Sequence, residues 1–196
     1  MCAIDLGMSG SFFIALVLAF LTAIGGRDQL LIARLRAANG SRGGLPLLMT
    51  GIACALATGA LAAWAGGVVD AMISDAAETM LVAFALGLAG VELLWPNREK
   101  RLIEPTRSLG AIALVLLARQ VSDGPRFVIF ALAANSGAVL LTGIGGALGG
   151  AIAIVLGWSL ADNLERLPLR PVRLGLGIVV LIGAVVIGLT AKGILA

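Results

Sequence analysis

The chain has 196 residues, of which 60% are hydrophobic and only 13% are charged. A soluble domain has about 45 to 50% apolar residues, so this composition excludes an ordinary soluble globular protein. The sequence contains no histidine, which excludes a Ser-His triad and a histidine-ligated zinc site, and its formal net charge of +3 is better explained by basic loops at a membrane than by nucleic acid.

Six apolar runs follow one another along the chain, and each is long enough to cross a bilayer as a helix of about 20 residues. They cover, in chain order, about residues 11–37, 45–65, 77–95, 109–134, 137–160 and 174–191. The residues that remain are too few for a separate soluble domain. We therefore predict a single all-α integral membrane domain over residues 1–196.

The first and fourth runs are longer than one crossing requires, and each is interrupted near its middle. The first contains Gly25-Gly26 and the fourth contains Gly124-Pro125. Glycine and proline both weaken the interior of a helix. We predict that helices 1 and 4 are broken at the bilayer midplane.

Basic residues outside the breaks are concentrated after helices 1, 3 and 5. They are Arg34, Arg36, Arg42, Arg98, Lys100, Arg101, Arg107, Arg166, Arg170 and Arg173. The opposite side has the acids Asp5, Asp70, Asp75 and Glu78, with Lys192 as its basic residue. Because basic loops remain in the cytoplasm, we predict an inner-membrane protein with both termini on the non-cytoplasmic side.

Short matching strings indicate an internal repeat. The pattern T-G-I-x-x-A-L begins at Thr50 in helix 2 and at Thr142 in helix 5, and Ala-Ala-Asn precedes each copy, at 37–39 and 133–135. The matches divide the chain into halves of about 8–95 and 106–192, and three spans in each half reverse the second half across the membrane. We predict two inverted three-helix repeats, an arrangement typical of transporters with broken helices at the binding site. Close packing of small residues is the alternative explanation.

Charged side chains at the bilayer centre cost about 2.5 to 3.5 kcal/mol each, so those at the two breaks should face each other or a wet cavity. Among them, Asp28 and Asp123 are the candidate metal or proton carriers, although Arg119 and Asp123 could also form a self-neutralising i,i+4 pair. Glu92, near the end of helix 3, is predicted at the membrane interface. The predicted ion or solute pathway consists of Thr22, Arg27, Asp28, Gln29, Arg119, Gln120, Ser122, Asp123 and Arg126.

The two breaks resemble the signature E-x-G-D-K/R-T/S of the Golgi- and thylakoid-type calcium/manganese-proton antiporters, which occurs once in each inverted half. The first copy matches in Ile24-Gly25, in Arg27 and in Gln29-Leu30, with Ala23, Gly26 and Asp28 in place of the signature Glu, Asp and Thr/Ser. The second copy matches in Asp123 and in Ala131-Leu132-Ala133-Ala134, whereas Gln120, Ser122, Gly124 and Pro125 replace the signature Glu, Gly, basic residue and Thr/Ser. The resemblance implies a six-span transporter that exchanges manganese or calcium for protons by alternating access.

These departures leave other functions open. The family pattern brings four carboxylates and two basic residues together, which suits a divalent cation, whereas this chain offers Asp28 and Asp123 against three arginines. A second hypothesis is therefore an anion or a small zwitterion bound by the arginines. A third is a non-transporting membrane interaction protein, or homo-oligomer, that packs through Gly143, Gly146 and Gly150. We predict no enzyme and no cofactor, because no nucleophile-base pair or nucleotide-binding loop is present.

Overall fold

The computed structural model describes residues 2–39, 44–96, 108–161, 163 and 168–192, with all their side chains except those of residues 2–9 and 39. Within these ranges the regular elements are all α-helices, which confirms the all-helical prediction. The helices are α1 Cys2–Ala23, α2 Arg27–Asn39, α3 Leu45–Asp70, α4 Asp75–Leu94, α5 Leu109–Val121, α6 Gly124–Ser136, α7 Val139–Ser159 and α8 Leu169–Ala191.

Four of these helices, α3, α4, α7 and α8, are long and apolar enough to cross a membrane. A fifth candidate span is the pair Gly10–Ala23 and Arg27–Ala38, which is bent by 61°. The predicted fourth span is divided between two shorter helices, α5 and α6. The described helices are thus compatible with a multi-pass membrane protein of four to five spans by this criterion.

Both predicted interruptions occur as helix breaks. At the first, Gly25 adopts a φ of 63° in the left-handed region, and the backbone nitrogen of Gly26 donates to the oxygen of Ala23 at 2.9 Å. At the second, Asp123 is the N-cap residue of α6, and Pro125 lies in the first turn. Proline is favoured there because the first turn does not need its N–H group.

Small residues lie where the helices cross, which allows the backbones to approach closely. A methyl group on Gly59 of α3 would lie 2.9 Å from the Cα atom of Ala147 in α7, and one on Gly149 of α7 would lie 3.0 Å from the backbone nitrogen of Phe20 in α1. The three glycines assigned to a possible partner surface, Gly143, Gly146 and Gly150, are buried and face Ala63, Ile129 and Arg126, respectively. Internal packing therefore accounts for these three positions.

Two basic residues assigned to a cytoplasmic loop, Arg170 and Arg173, lie in a helix instead. Helix α8 begins at Leu169 rather than near residue 174, and Arg173 lies in its second turn with only 8% of its surface exposed. The prediction for Arg173 was wrong because loop counting ignores burial. Other residues used for the orientation lie outside the described residues: Arg42, Arg98, Lys100, Arg101, Arg107 and Arg166.

Candidate functional site at two helix breaks

A cavity of about 290 Å³ lies where the two breaks meet. Helix α2 begins immediately after the first break and contributes its first two residues, Arg27 and Asp28. The second break contributes Ser122 and Asp123. Predicted pathway residues from two distant parts of the sequence therefore share one cavity. Its full lining is Arg27, Asp28, Glu92, Val115, Ala118, Arg119, Ser122 and Asp123.

The backbone of the first break is held by two polar side chains. The Gly25 nitrogen donates to Gln29 Oε1 at 2.7 Å, and Gln29 Nε2 donates to the Ala153 oxygen of α7 at 2.9 Å. On the other side, Arg173 Nη1 donates to the Gly25 oxygen. Gln29 was predicted to line the pathway, but the structure assigns its amide to the backbone of the break instead.

Thr22 is also placed differently from its prediction. It is buried, and its hydroxyl donates to the Leu18 oxygen of its own helix at 2.7 Å. Such i,i−4 bonds satisfy a hydroxyl within a helix. Thr22 is not among the cavity-lining residues.

The second break is completed by an acid that the sequence analysis had assigned to the membrane interface. Glu92 Oε2 of α4 accepts a hydrogen bond from the Gly124 nitrogen at 2.7 Å, at the N-terminus of α6. Helix N-termini expose unpaired N–H groups and favour negative charge. Glu92 thus caps α6 and lines the cavity with Asp28 and Asp123. The sequence signal for Glu92 was an acid inside an apolar run.

Arg126 lies behind the cavity in a buried polar network. Its Nη1 atom is 3.8 Å from Asp123 Oδ2, and its Nε donates to Thr58 Oγ1 at 3.1 Å. The Thr58 hydroxyl lies 2.9 Å from Gln120 Oε1 and 2.8 Å from the Cys54 oxygen, either of which can accept its proton. Arg126 therefore contacts Asp123 from behind, while Arg27 and Arg119 line the cavity.

Two buried polar atoms beside the cavity make no hydrogen bond of normal length and angle within the described ranges, although the two side chains that carry them interact with each other. They are Asp28 Oδ2 and Gln120 Nε2, on side chains that are 6% and 0% exposed. A buried polar group without a partner is costly, and most such groups in proteins are paired. Asp28 lines the cavity, but its Oδ2 atom is buried, so this oxygen would contact a ligand only if the side chain rotated.

The charge of the lining differs from the sequence prediction. Three carboxylates and two guanidinium groups line the cavity, and with Arg126, which lies 3.8 Å from Asp123, the group is formally neutral when all are ionised, whereas the predicted set had an excess of positive charge. The difference arises because Glu92 joins the group. No group of three or more acidic or cysteine side chains is arranged to hold a metal ion in the described part of the chain.

Comparisons with protein-family models, with curated proteins and with solved structures found no match to this chain. The resemblance to the antiporters therefore depends on the residues at the two breaks and stays a prediction.

Proposed function

We propose that this protein is a multi-pass membrane transporter that exchanges a divalent cation, manganese or calcium, for protons by alternating access. The observation that carries the proposal is that Asp28 and Asp123, from two separate helix breaks, line one cavity. The partial match of both breaks to the antiporter signature supports the same function. The cavity is the proposed cation site, and Asp28 and Asp123 are the proposed carriers.

The packing of the helices supports an inverted repeat. Helix α3 packs against α7, and α4 packs against α8. These pairs join helices that occupy corresponding positions in the two predicted halves. Likewise, the contact of α1 with α7 corresponds to the contact of α5 with α3. The contact of α2 with α7 corresponds to the contact of α6 with α3. Exchanging the two halves exchanges these contacts, as expected when repeats meet at a central site, whereas the contact of α4 with α6 has no counterpart of similar extent between α8 and α2 among the described residues.

The cavity also suits a hydrated cation rather than a tightly caged metal. Its volume of about 290 Å³ is well above the roughly 30 Å³ that one water molecule occupies in the liquid. Three carboxylates line the cavity and offer oxygen ligands to a cation, and Arg126, which lies 3.8 Å from Asp123, balances the formal charge of the whole group. Loose coordination favours release, which a transporter requires.

The direct test is flux in proteoliposomes. We expect manganese or calcium to move against a proton gradient, and Asp123→Asn to reduce this flux at least tenfold, because a neutral amide neither binds a divalent cation strongly nor carries a proton. Asp75→Asn is the matched control, since Asp75 is exposed at the start of α4, away from the cavity-lining residues, and we expect it to retain wild-type flux. Flux no greater than that of empty liposomes under either gradient would refute the proposal. If Asp123→Asn then altered only stability, the non-transporting interaction protein would be favoured.

A second candidate is transport of a small zwitterion or anion. The observation that favours it is that Arg27 and Arg119 line the same cavity as the acids. Guanidinium groups bind carboxylates and phosphates in a bidentate manner, and the nearby carboxylates could hold an ammonium group. Thermal-shift screening in detergent discriminates the candidates: stabilisation by manganese favours the cation, and stabilisation by amino acids or phosphate without manganese favours this alternative.

We further propose that the protein lies in the inner membrane with both termini outside the cytoplasm. The basic side includes the exposed Arg170, and the opposite end includes the exposed Asp75. Protease digestion of C-terminally tagged protein in intact cells after outer-membrane permeabilisation tests this orientation. Removal of the tag is expected, and full protection until the inner membrane is lysed would reverse the assignment.

A further inference from the structure

The last turn of α4 is hydrogen-bonded to both helix breaks. Its Glu92 side chain accepts from the Gly124 nitrogen at 2.7 Å, at the second break. The backbone oxygens of Glu92 and Leu93 accept from Arg173, from Nη2 at 2.8 Å and from Nε at 3.3 Å. The same guanidinium donates through Nη1 to the Gly25 oxygen, at the first break. A continuous set of hydrogen bonds thus runs from Gly25 through Arg173 and Glu92 to Gly124.

The bond at the second break has no substitute. At the start of α6, the nitrogens of Arg126 and Phe127 both bond to the Asp123 oxygen, and Pro125 has no N–H group. Gly124 is therefore the remaining backbone donor of this first turn, and Glu92 accepts its proton. A methyl group on Gly124 would lie 2.8 Å from Glu92 Oε2 and 3.1 Å from the Cα atom of Ala89, so a larger residue here would require the Glu92 side chain and α4 to shift.

The first break is packed as tightly against its partner as the second. A methyl group on Gly25 would lie 2.8 Å from Arg173 Cδ, and the Arg173 side chain is buried. A planar guanidinium can donate in several fixed directions at once, which a lysine cannot do. Arg173 uses this geometry to bind the break and the end of α4 together.

We propose that Arg173 is a positioning residue for the cavity, although it does not line it. Its bond to Gly25 determines the position of the start of α2, where Asp28 lies. Its bond to the Glu92 backbone determines the position of the side chain that caps α6, beside Asp123. Loss of Arg173 should therefore loosen the second break, which it does not touch, as well as the first. This inference goes beyond the proposed function, because it concerns how the two breaks are held whatever the cavity binds.

Gln29 provides a matched control. It also holds the first break, through the Gly25 nitrogen and the Ala153 oxygen, but these two bonds lead to α7 and not to the end of α4. Arg173→Gln and Gln29→Ala should both loosen the first break. Only Arg173→Gln should also loosen the second.

Hydrogen–deuterium exchange of the protein in lipid nanodiscs, without any cargo, tests this inference. We expect Arg173→Gln to accelerate exchange in peptides covering residues 20–28 and 121–128 by roughly fivefold, the size expected for a lost helix cap. Gln29→Ala should accelerate exchange in the first of these peptides only. Arg173→Lys should accelerate exchange in both peptides, but less than Arg173→Gln does. Exchange within residues 50–60 of α3 should stay unchanged in every variant.

If Arg173→Gln affects only the first break, or Gln29→Ala affects both breaks equally, the inference is wrong. If Arg173→Gln does not fold, the comparison of Arg173→Lys with Gln29→Ala decides in the same way. The outcome is independent of flux, so failure here and failure of the transport proposal are distinguishable.

Discussion

The two helix breaks are held by side chains of different charge. The first bends the chain by 61°, uses a left-handed Gly25, and is bound by a neutral amide, Gln29, and a cation, Arg173. The second has no left-handed residue and is bound by an anion, Glu92. A helix that ends exposes carbonyl oxygens and needs donors, whereas a helix that begins exposes N–H groups and needs an acceptor. The comparison shows that Glu92 reaches the shared cavity by capping a helix, although it belongs to neither copy of the repeated signature.

The arginines of the two breaks should differ most in their contribution to stability. Arg126 is buried and contacts Asp123 and Thr58, whereas Arg27 is exposed. Removing one partner of a buried pair costs about 3 to 5 kcal/mol, so Arg126→Met should lower the unfolding free energy by that amount. Arg27→Gln should change it by less than about 0.5 kcal/mol. Unfolding in mixed detergent micelles measures both, and equal effects would contradict the assigned roles.

The glycine that defines the first break should have the next largest effect. Gly25→Ala forces a methyl group into the left-handed region, which costs about 1 to 2 kcal/mol, and against Arg173 Cδ at 2.8 Å, which adds about 1 kcal/mol or more. Gly137 has a similar φ of 60° but nothing within 4 Å of an added methyl group. Gly137→Ala should therefore cost only about 1 kcal/mol, the strain alone. The difference between the thermal unfolding midpoints of the two variants in detergent checks this prediction. Equal midpoints would show that the contact with Arg173 does not affect stability.

The cap of the second break should have the smallest effect and the most specific one. Glu92→Ala removes the acceptor for Gly124 and should cost about 1 to 2 kcal/mol. Glu92→Gln keeps an acceptor oxygen and loses only the charge, which is worth about 0.3 to 1 kcal/mol at a helix N-terminus. A Gln variant as unstable as the Ala variant in the same unfolding assay would mean that Glu92 does not act as a cap.

The sequence predicts the helices and both breaks because each depends on local properties. Long apolar runs predict the spans, and Gly25-Gly26 and Gly124-Pro125 predict where they are interrupted. Asp28 and Asp123 were found by the same reasoning, since acids within apolar runs must avoid lipid. The sequence also predicts that the charges at the two breaks face each other or a wet cavity, but it does not identify Glu92 as part of that cavity, because this depends on how the two halves pack.

The residues that were misassigned are those whose partners are distant in the chain. Glu92 caps a helix that begins 32 positions later, and Arg173 reaches back to Gly25, so neither role leaves a local pattern. Thr58 was overlooked because a hydroxyl in an apolar helix usually bonds to its own backbone, yet it also contacts Gln120 and Arg126. Counting basic residues by loop placed Arg173 in the cytoplasm because a charge count carries no information on burial.

Access to the cavity from both sides of the membrane is the measurement that tests the central claim most directly. Ser122 is exposed and lines the cavity, so Ser122→Cys in a background with Cys2→Ser and Cys54→Ser introduces one thiol at the proposed site. Alternating access predicts that a membrane-impermeant thiol reagent labels this cysteine in proteoliposomes from one side under a proton gradient and from the opposite side when the gradient is reversed. Labelling from a single side under both gradients, with the protein folded, would contradict a transporter.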